Sequence, residues 1–405
     1  MSLTAAISLI KPLNRYKFVK NKLNKLIDWA KAPFISTRHS QAPDYTLLIV
    51  TAIVLFFGLL ILSSATSVIS FQEYGDSYYF LKRQLLHGLL PGLLLFLVAI
   101  RLPYQLWKKL AFWMLVISVG LLVLVLVPGI GVTHGGATRW LNLAGIYFQP
   151  SEIVKITFLI YLATWLAKKG VHGLKDVEYG TIPFLSIMGI VAILFLKQPD
   201  LGTLLVILAV SFLLYFIAGA PWRHIISIAG VVFLILLILI LSSDYRAARF
   251  KTFLSGGDEL GEGYHINQAK IAIGTGGIFG LGLGHSKQKY RYLPEVEGDS
   301  IFAILAEEMG FIFSSLIILL FLVIMFRGFK IARGSPDEFG RLLASGITIW
   351  FTVQALINLG AMMGLLPLTG ITLPFVSYGG SSLAISLFAM GLLLNISRYS
   401  NLNNQ

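Results

Sequence analysis

The chain has 405 residues, of which 56% are hydrophobic and only 13% are charged. The core of a soluble protein could not absorb so much apolar surface, so lipid must solvate much of the chain. The sequence contains no cysteine, which excludes disulfides, thiol catalysis and cysteine-bound metals.

The apolar residues form ten runs of the length that a helix needs to cross about 30 Å of hydrocarbon. They predict an all-α polytopic membrane protein with ten transmembrane helices. In chain order the predicted spans are 45–66, 84–100, 110–128, 151–167, 180–196, 201–218, 224–242, 300–326, 342–364 and 374–396.

Two polar tails flank this predicted membrane domain of residues 44–398. Residues 1–43 form a basic tail with no sign of a cleaved signal peptide, and residues 399–405 form a short C-terminal tail. Within the first tail, apolar residues of the segment 16–30 recur at helical spacing. The segment is either an interfacial helix on anionic lipid headgroups or a disordered basic tail.

The net charge of +13 first suggests a nucleic-acid partner. The basic residues, however, concentrate in the N-terminal tail, the even-numbered loops and the C-terminus, as Lys25, Arg101, Lys108 and Arg333 illustrate. Short cytoplasmic loops collect Lys and Arg, so this pattern places both termini in the cytoplasm. Membrane topology, rather than nucleic-acid binding, explains the charge.

Two long segments, 129–150 and 243–299, then face the outside. The second connects spans seven and eight and contains a glycine-dense run at 274–284. This run matches no phosphate-binding motif, so we interpret it as a site of close packing or a re-entrant turn.

Four compact polar motifs stand where spans begin on the outer side. They are Gln149-Pro-Ser-Glu152, Gln198-Pro-Asp-Leu-Gly-Thr203, Leu293-Pro-Glu-Val-Glu-Gly-Asp-Ser300 and Leu373-Pro-Phe-Val-Ser-Tyr-Gly-Gly-Ser-Ser382. Each motif alone is also typical of an ordinary helix start. Four helix N-termini on one face would together favour an anionic ligand.

Charged side chains accompany these motifs. Lys155 follows Glu152 by three residues, so both side chains lie on one face of the helix. They either have a function, which we favour, or merely neutralise each other. Glu307 and Glu308 lie in the eighth span. For these two acids we favour a structural role, in contacts with neighbouring helices or as protonated, hydrogen-bonded carboxyls.

Two further motifs are Gly135-Gly-Ala-Thr-Arg-Trp-Leu141 and Ala306-Glu-Glu-Met-Gly310. Together with the four motifs above, and in their order along the chain, they resemble the SEDS family of bacterial membrane glycosyltransferases over residues 44–398. The resemblance implies a cytoplasmic-membrane enzyme that polymerises lipid II on the outer face. It also implies that Asp299 is the catalytic base. The substrate-binding residues it implies are Arg139, Glu152, Lys155, Gln198, Asp200, Ser377, Tyr378, Gly379 and Gly380.

The implied reaction needs only one carboxylate. A glycosidase commonly uses a second carboxyl to protonate its leaving group, whereas pyrophosphate leaves as a stable anion. We expect Arg139, Lys155 and the helix N-termini to stabilise that anion, with Glu152 orienting Lys155. The sequence has no evident metal-binding motif, and Mg²⁺ or Mn²⁺ bridging the lipid pyrophosphate is a candidate cofactor.

The chain departs from the family pattern beside the predicted base. The family pattern reads His-Thr/Ser-Asp-Phe, whereas this chain has Glu297-Gly298-Asp299-Ser300. Because a nearby like charge raises the pKa of a carboxyl group, we expect Glu297 to alter the pKa of the base.

Within the family, the run 282–290 and the long N-terminal tail are closer to the cell-division branch, FtsW, than to the elongation branch, RodA. That similarity implies a septal location. The family also implies a class B penicillin-binding protein as transpeptidase partner, together with other division proteins. Two alternatives remain, a lipid II flippase or transporter and a non-catalytic division scaffold.

Overall fold

A computed structural model describes residues 41–134, 137–143, 145–241 and 263–401 of the chain. The interfacial helix considered at 16–30 lies outside these residues. So do Gly135 and Gly136 of the predicted outer motif, and residues 242–262 of the long outer segment.

The described residues form eleven α-helices and three short strands. In chain order they are α1 (Tyr45–Tyr74), α2 (Tyr79–Arg101), α3 (Gln105–Val125), β1 (Gly131–His134), β2 (Ala137–Leu143), β3 (Ile146–Phe148), α4 (Pro150–Leu174), α5 (Val177–Lys197), α6 (Leu201–Ile217), α7 (Trp222–Leu241), α8 (Gly263–Thr275), α9 (Ile301–Arg333), α10 (Glu338–Met362) and α11 (Gly380–Ser397). In α2, residues Gln84–Leu89 are wound as π-helix.

Ten of these helices coincide with the ten predicted spans. Eight of the ten are long and apolar enough to cross a membrane, while α6 and the part of α7 at Trp222–Val232 are shorter apolar helices. The remaining helix, α8, lies in the long outer segment before the eighth span. The prediction of a polytopic helical membrane protein is therefore confirmed.

Several span boundaries differ from the prediction by five to eight residues, and two of the differences have clear local reasons. The first span continues to Tyr74, where Gly75 ends the helix in the left-handed conformation at φ 69°. The last span begins at Gly380 rather than at residue 374. Phe375 and Gly379 have φ values of 65° and 158°, so the chain forms a turn before the helix starts.

The sequence did not predict the small antiparallel sheet in the first long outer segment. Its strand order is β1-β2-β3, and the pairs Val132 with Trp140 and Asn142 with Tyr147 define its register. The strands have only three to seven residues each, too few to show a clear alternating pattern.

The interior of the helical domain is formed by α4, α10 and α11. Their spans are 72%, 78% and 78% buried inside the protein, against 22% for α3. Small residues allow α2 and α11 to approach closely, since a Cβ atom added to Gly391 would lie 2.8 Å from the Phe96 carbonyl oxygen. Such small-residue contacts are typical of helix packing in membranes.

The two ends of the described domain meet on one side. The Asp44 amide, at the start of α1, donates to the Ser397 hydroxyl at the end of α11 at 3.0 Å. The Asp44 carboxylate also pairs with Arg327 of α9 at 2.6 Å. Both ends of the helical domain therefore lie on the same face, as the predicted topology requires.

Candidate functional site

Asp299 lies at the junction between the long outer segment and α9, and its side chain is largely buried. Its backbone carbonyl accepts a hydrogen bond of 2.8 Å from the Asn358 amide of α10. The same amide donates to the Ile371 carbonyl, also at 2.8 Å. Asn358 thus attaches Asp299 and the segment before α11 to one central helix.

The residue after the predicted base is tied to the outer segment. The Ser300 hydroxyl donates to the Pro294 carbonyl at 2.7 Å and lies 2.5 Å from Nε2 of His265 in α8. It is also 3.5 Å from the Asp299 carboxylate. In this chain Ser300 and His265 therefore fix the flank of Asp299, at the position where the family pattern has an apolar Phe.

Glu297 connects this flank to the turn before α11. Its carbonyl accepts a 2.8 Å hydrogen bond from the Tyr378 amide. Burial raises the pKa of the Glu297 carboxyl above its ordinary value, and the negative charges of Glu295 and Glu73 raise it further. The expectation that Glu297 alters the pKa of Asp299 stays a prediction.

The turn before α11 is held by a glutamine that the sequence motifs did not indicate. Gln84, in the π-helical stretch of α2, accepts from the Gly379 amide at 3.0 Å and donates to the Ser377 carbonyl at 3.3 Å. The Tyr378 ring packs edge-on against Phe80 at 5.0 Å. Ser377 to Gly380 are thereby fixed close to the segment that carries Asp299.

Glu152 and Lys155 form a buried ion pair at 2.9 Å, with side chains that are 7% and 5% exposed. The Lys155 ammonium also donates to Gln354 of α10 at 3.2 Å and lies 5.1 Å from the centre of the Trp350 ring. Trp350, Gln354 and Asn358 are spaced by four residues. One face of α10 therefore joins the ion pair to Asp299.

Arg139, Gln198 and Asp200 form a second group at the turn between α5 and α6. Arg139 of β2 donates to the carbonyls of Gln198, at 3.3 Å, and Pro199. The Gln198 side chain donates to the Leu122 carbonyl at 2.8 Å. The Asp200 carboxylate caps α6 by accepting from the Thr203 amide.

The segment that precedes α11 links this second group to the first, which surrounds Asp299. A Cβ atom added to Gly202, at the start of α6, would lie 2.6 Å from the Thr369 carbonyl oxygen. Two residues further on, Ile371 accepts the hydrogen bond from Asn358. Direct contacts and short backbone segments thus connect all ten predicted site residues, and we call this connected set the rim.

Sequence reasoning missed three buried amides in this rim, Gln84, Gln354 and Asn358. The available signal was the position of strongly polar amides in otherwise apolar spans. Within the described part of the chain, no group of three or more acidic or histidine side chains could hold a metal ion.

A domain of many apolar helices, with connected polar groups near one end of them, defines a multi-pass integral membrane protein with a candidate site at that end. The chain belongs to the FtsW/RodA/SpoVE family of cell cycle proteins, whose sequence profile matches residues 45–402. Its match to that profile covers nearly the whole membrane domain.

Individual relatives agree with this assignment. The chain is 41% identical to stage V sporulation protein E of Bacillus subtilis, over 90% of the chain and 99% of the relative. It is 43% identical to the "Probable peptidoglycan glycosyltransferase FtsW" of Trichlorobacter lovleyi, over 87% of the chain and 93% of the relative.

Solved structures show the same fold. A chain of a peptidoglycan synthase complex, described as coordinating polymerization and crosslinking, matches with a TM-score of 0.73 and 29% identity, over 88% of this chain and 98% of that one. The rod shape determining protein RodA of Thermus thermophilus matches with a TM-score of 0.66 and 29% identity, over 89% and 99%.

Proposed function

We propose that the chain is a peptidoglycan glycosyltransferase that polymerises lipid II at the outer face of the cytoplasmic membrane, with Asp299 as its base. The relatives named as FtsW glycosyltransferases support the activity. The observation that carries the assignment of the base is the position of Asp299. Its side chain is largely buried, and its backbone carbonyl accepts a hydrogen bond from Asn358. Two residues earlier, the Glu297 carbonyl accepts from the Tyr378 amide and so joins this segment to the turn 377–380.

The proposed chemistry is a direct displacement. Asp299 accepts the proton of the 4-hydroxyl on the acceptor's N-acetylglucosamine, and the hydroxyl oxygen bonds to the anomeric carbon of the donor. The bond from that carbon to the diphosphate oxygen breaks, and undecaprenyl pyrophosphate leaves with the electron pair. The anomeric centre is inverted.

Positive charge and free backbone amides support the departure of the diphosphate. Arg139 and Lys155 supply the charge, and the N-termini of α4 and α11 supply the amides. Gly379 has no side chain that could bind the first-turn amides of α11, so these amides can donate to an anion. At α4 Gln149 makes no side-chain cap bond, but Pro150 has no N–H and the Glu152 amide already donates to the Gln149 carbonyl, so fewer amides remain there. Such donors stabilise charge that develops in the transition state.

A divalent cation at this site would accompany the diphosphate. The described residues contain no cluster of three or more candidate ligands and so form no closed cage for it by themselves. We propose that Mg²⁺ or Mn²⁺, where used, would be held largely by the phosphate oxygens, with single carboxylates of the rim assisting.

We further propose a class B penicillin-binding protein as partner and the division septum as the site of action. The similarity to a chain of a peptidoglycan synthase complex supports the partner, and the FtsW names support the septum. A fluorescent fusion that collects at midcell during division would agree with this role. A fusion spread along the side wall would contradict it.

The activity is tested with labelled lipid II, the purified chain and a transpeptidase partner whose own active site is inactivated. Glycan strands should form and undecaprenyl pyrophosphate should accumulate in step with them. Transbilayer movement of lipid II without strand formation would instead identify a flippase. Neither reaction, with a complex that is folded and assembled, would identify a scaffold.

A further inference from the structure

Two adjacent buried acids, Glu307 and Glu308, lie in the first part of α9 and take no part in the chemistry proposed above. Each is only 1% exposed. A buried carboxylate is costly unless it is paired or hydrogen-bonded, so the partners of these two acids show what holds them there. The partners come chiefly from one short turn, residues 286–289.

Glu307 binds the backbone of this turn. Its carboxylate accepts from the Lys287 amide at 3.0 Å, from the Gln288 amide at 3.3 Å and from the Ser286 hydroxyl. Three donors from consecutive residues fix the conformation of the turn, and hydrogen bonds to a charged acceptor are among the stronger ones.

Glu308 holds the same turn through a charge and connects it to α1. Its carboxylate pairs with the buried Lys289 ammonium at 3.1 Å and accepts from the Ser286 amide at 3.3 Å. The other oxygen accepts from the Ser64 hydroxyl of α1 at 2.6 Å. The turn is therefore held between two spans, α9 and α1.

The glycine-dense run completes this attachment through backbone contacts. At Gly310 (φ 74°, ψ −176°) the helical conformation of α9 is interrupted. The carbonyls of Glu307 and Glu308 accept from the amides of Leu281 and Gly282 at 3.0 and 2.9 Å. A Cβ atom added to Gly276 would lie 2.0 Å from the Ala306 carbonyl oxygen, so the approach requires glycine there.

From the turn 286–289, consecutive turns lead directly to Asp299. The Leu293 amide donates to Gln288 at 3.0 Å, and the amides of Gly298 and Ser300 donate to Glu295 at 3.0 and 3.2 Å. The segment 286–299, which ends at Asp299, thus begins at a turn bound to α9 and returns to the beginning of the same helix. Displacing the turn would displace the base.

We propose that Glu307 and Glu308 are positioning residues for the base Asp299, acting through the turn 286–289. This inference rests on the proposed function of Asp299. Misplacing a reacting group by about 1 Å can lower a rate by about 100-fold, so loss of this attachment should reduce turnover more than substrate affinity.

The test compares Glu307→Gln and Glu308→Gln with wild type in the complex with the transpeptidase partner. Each variant should lower kcat for lipid II polymerisation by at least about 10-fold and leave KM within about 2-fold. The matched control is Glu338→Gln, since Glu338 pairs with Arg341 on the exposed surface and should leave both constants unchanged.

A second variant separates positioning from folding. Glu308→Gln leaves Lys289 buried without its counter-charge, so Glu308→Gln combined with Lys289→Met should recover thermal stability while kcat stays low. Recovery of kcat together with stability, or wild-type kcat per folded molecule in the single variants, would overturn the inference. A raised KM with unchanged kcat would overturn it as well.

The failure of this inference is distinguishable from failure of the proposed function. If Asp299→Asn abolishes polymerisation while the Glu307 and Glu308 variants keep full kcat, only the positioning role is wrong. If folded wild-type complex makes no glycan, or Asp299→Asn makes normal glycan, the proposed function is wrong and the positioning role falls with it.

Discussion

The ion pair between Glu152 and Lys155 allows structural and catalytic roles to be separated by measurement. Lys155→Met removes an ammonium that lies 2.9 Å from Glu152 and 3.2 Å from Gln354. Glu152, a residue that is only 5% exposed, would then keep a buried carboxylate without a counter-charge. Breaking a buried pair in this way costs about 3–5 kcal/mol of stability.

The double variant Glu152→Gln with Lys155→Met leaves no buried charge. It forfeits the pair and the hydrogen bond to Gln354, the latter contributing about 1 kcal/mol. We therefore expect its loss of stability to be smaller than the sum of the two single losses by at least about 2 kcal/mol.

Thermal unfolding of the purified variants in nanodiscs ranks these losses, and polymerisation per folded molecule is measured on the same samples. The double variant should stay folded but polymerise lipid II at least about 10-fold more slowly, because it lacks the cation that we propose stabilises the leaving diphosphate. Additive losses of stability would refute the reasoning about the buried pair. Full activity of the double variant would refute the catalytic role of Lys155.

Two further predictions concern the outer segment. Gly276→Ala should destabilise the protein by about 1–3 kcal/mol, because the added Cβ would clash with the Ala306 carbonyl oxygen. Gly274→Ala is the control, since open space surrounds Gly274 and this variant should be neutral or slightly stabilising. Thermal unfolding of both variants measures the difference. The pKa of the Glu297 carboxyl is raised in the folded protein. Between the carboxyl pKa of the unfolded chain and that of the folded protein, the folded state therefore binds more protons than the unfolded state. Across that range the free energy of unfolding falls as pH rises. Glu297→Gln should remove this contribution to the decline of the melting temperature, recorded from about pH 4, near the ordinary glutamate pKa, upward. An unchanged pH dependence would contradict the assignment.

The helical spans were predictable because hydrocarbon thickness imposes a length and an apolar composition on each of them. The starts of α4 and α6 were predictable for a similar reason, since Pro150 and Asp200 carry local signals for the beginning of a helix. Such signals depend only on neighbours in sequence. They therefore indicate the start of a helix whatever tertiary contacts that helix makes.

Contacts between distant segments were not predictable in the same way. Gln84, Gln354 and Asn358 are isolated amides in apolar helices, and the sequence does not reveal which backbone each one faces. The partners of Glu307 and Glu308 were likewise hidden, although the structural role favoured for them agrees with their buried contacts. The glycine-dense run was interpreted as a site of close packing or a re-entrant turn. The close approach of Gly276 and Gly280 to α9 agrees with close packing, while the pairing with the interrupted part of α9 emerged only from the structure.

The most direct test of the account is the rate of lipid II polymerisation by Asp299→Asn, measured in the assembled complex alongside wild type. The asparagine keeps the size of the side chain and leaves the backbone carbonyl that binds Asn358 unchanged. Loss of a general base costs about 100-fold to 10,000-fold in rate. We predict a loss of that size with lipid II binding preserved. Glycan synthesis at the wild-type rate by the folded variant would contradict the central claim.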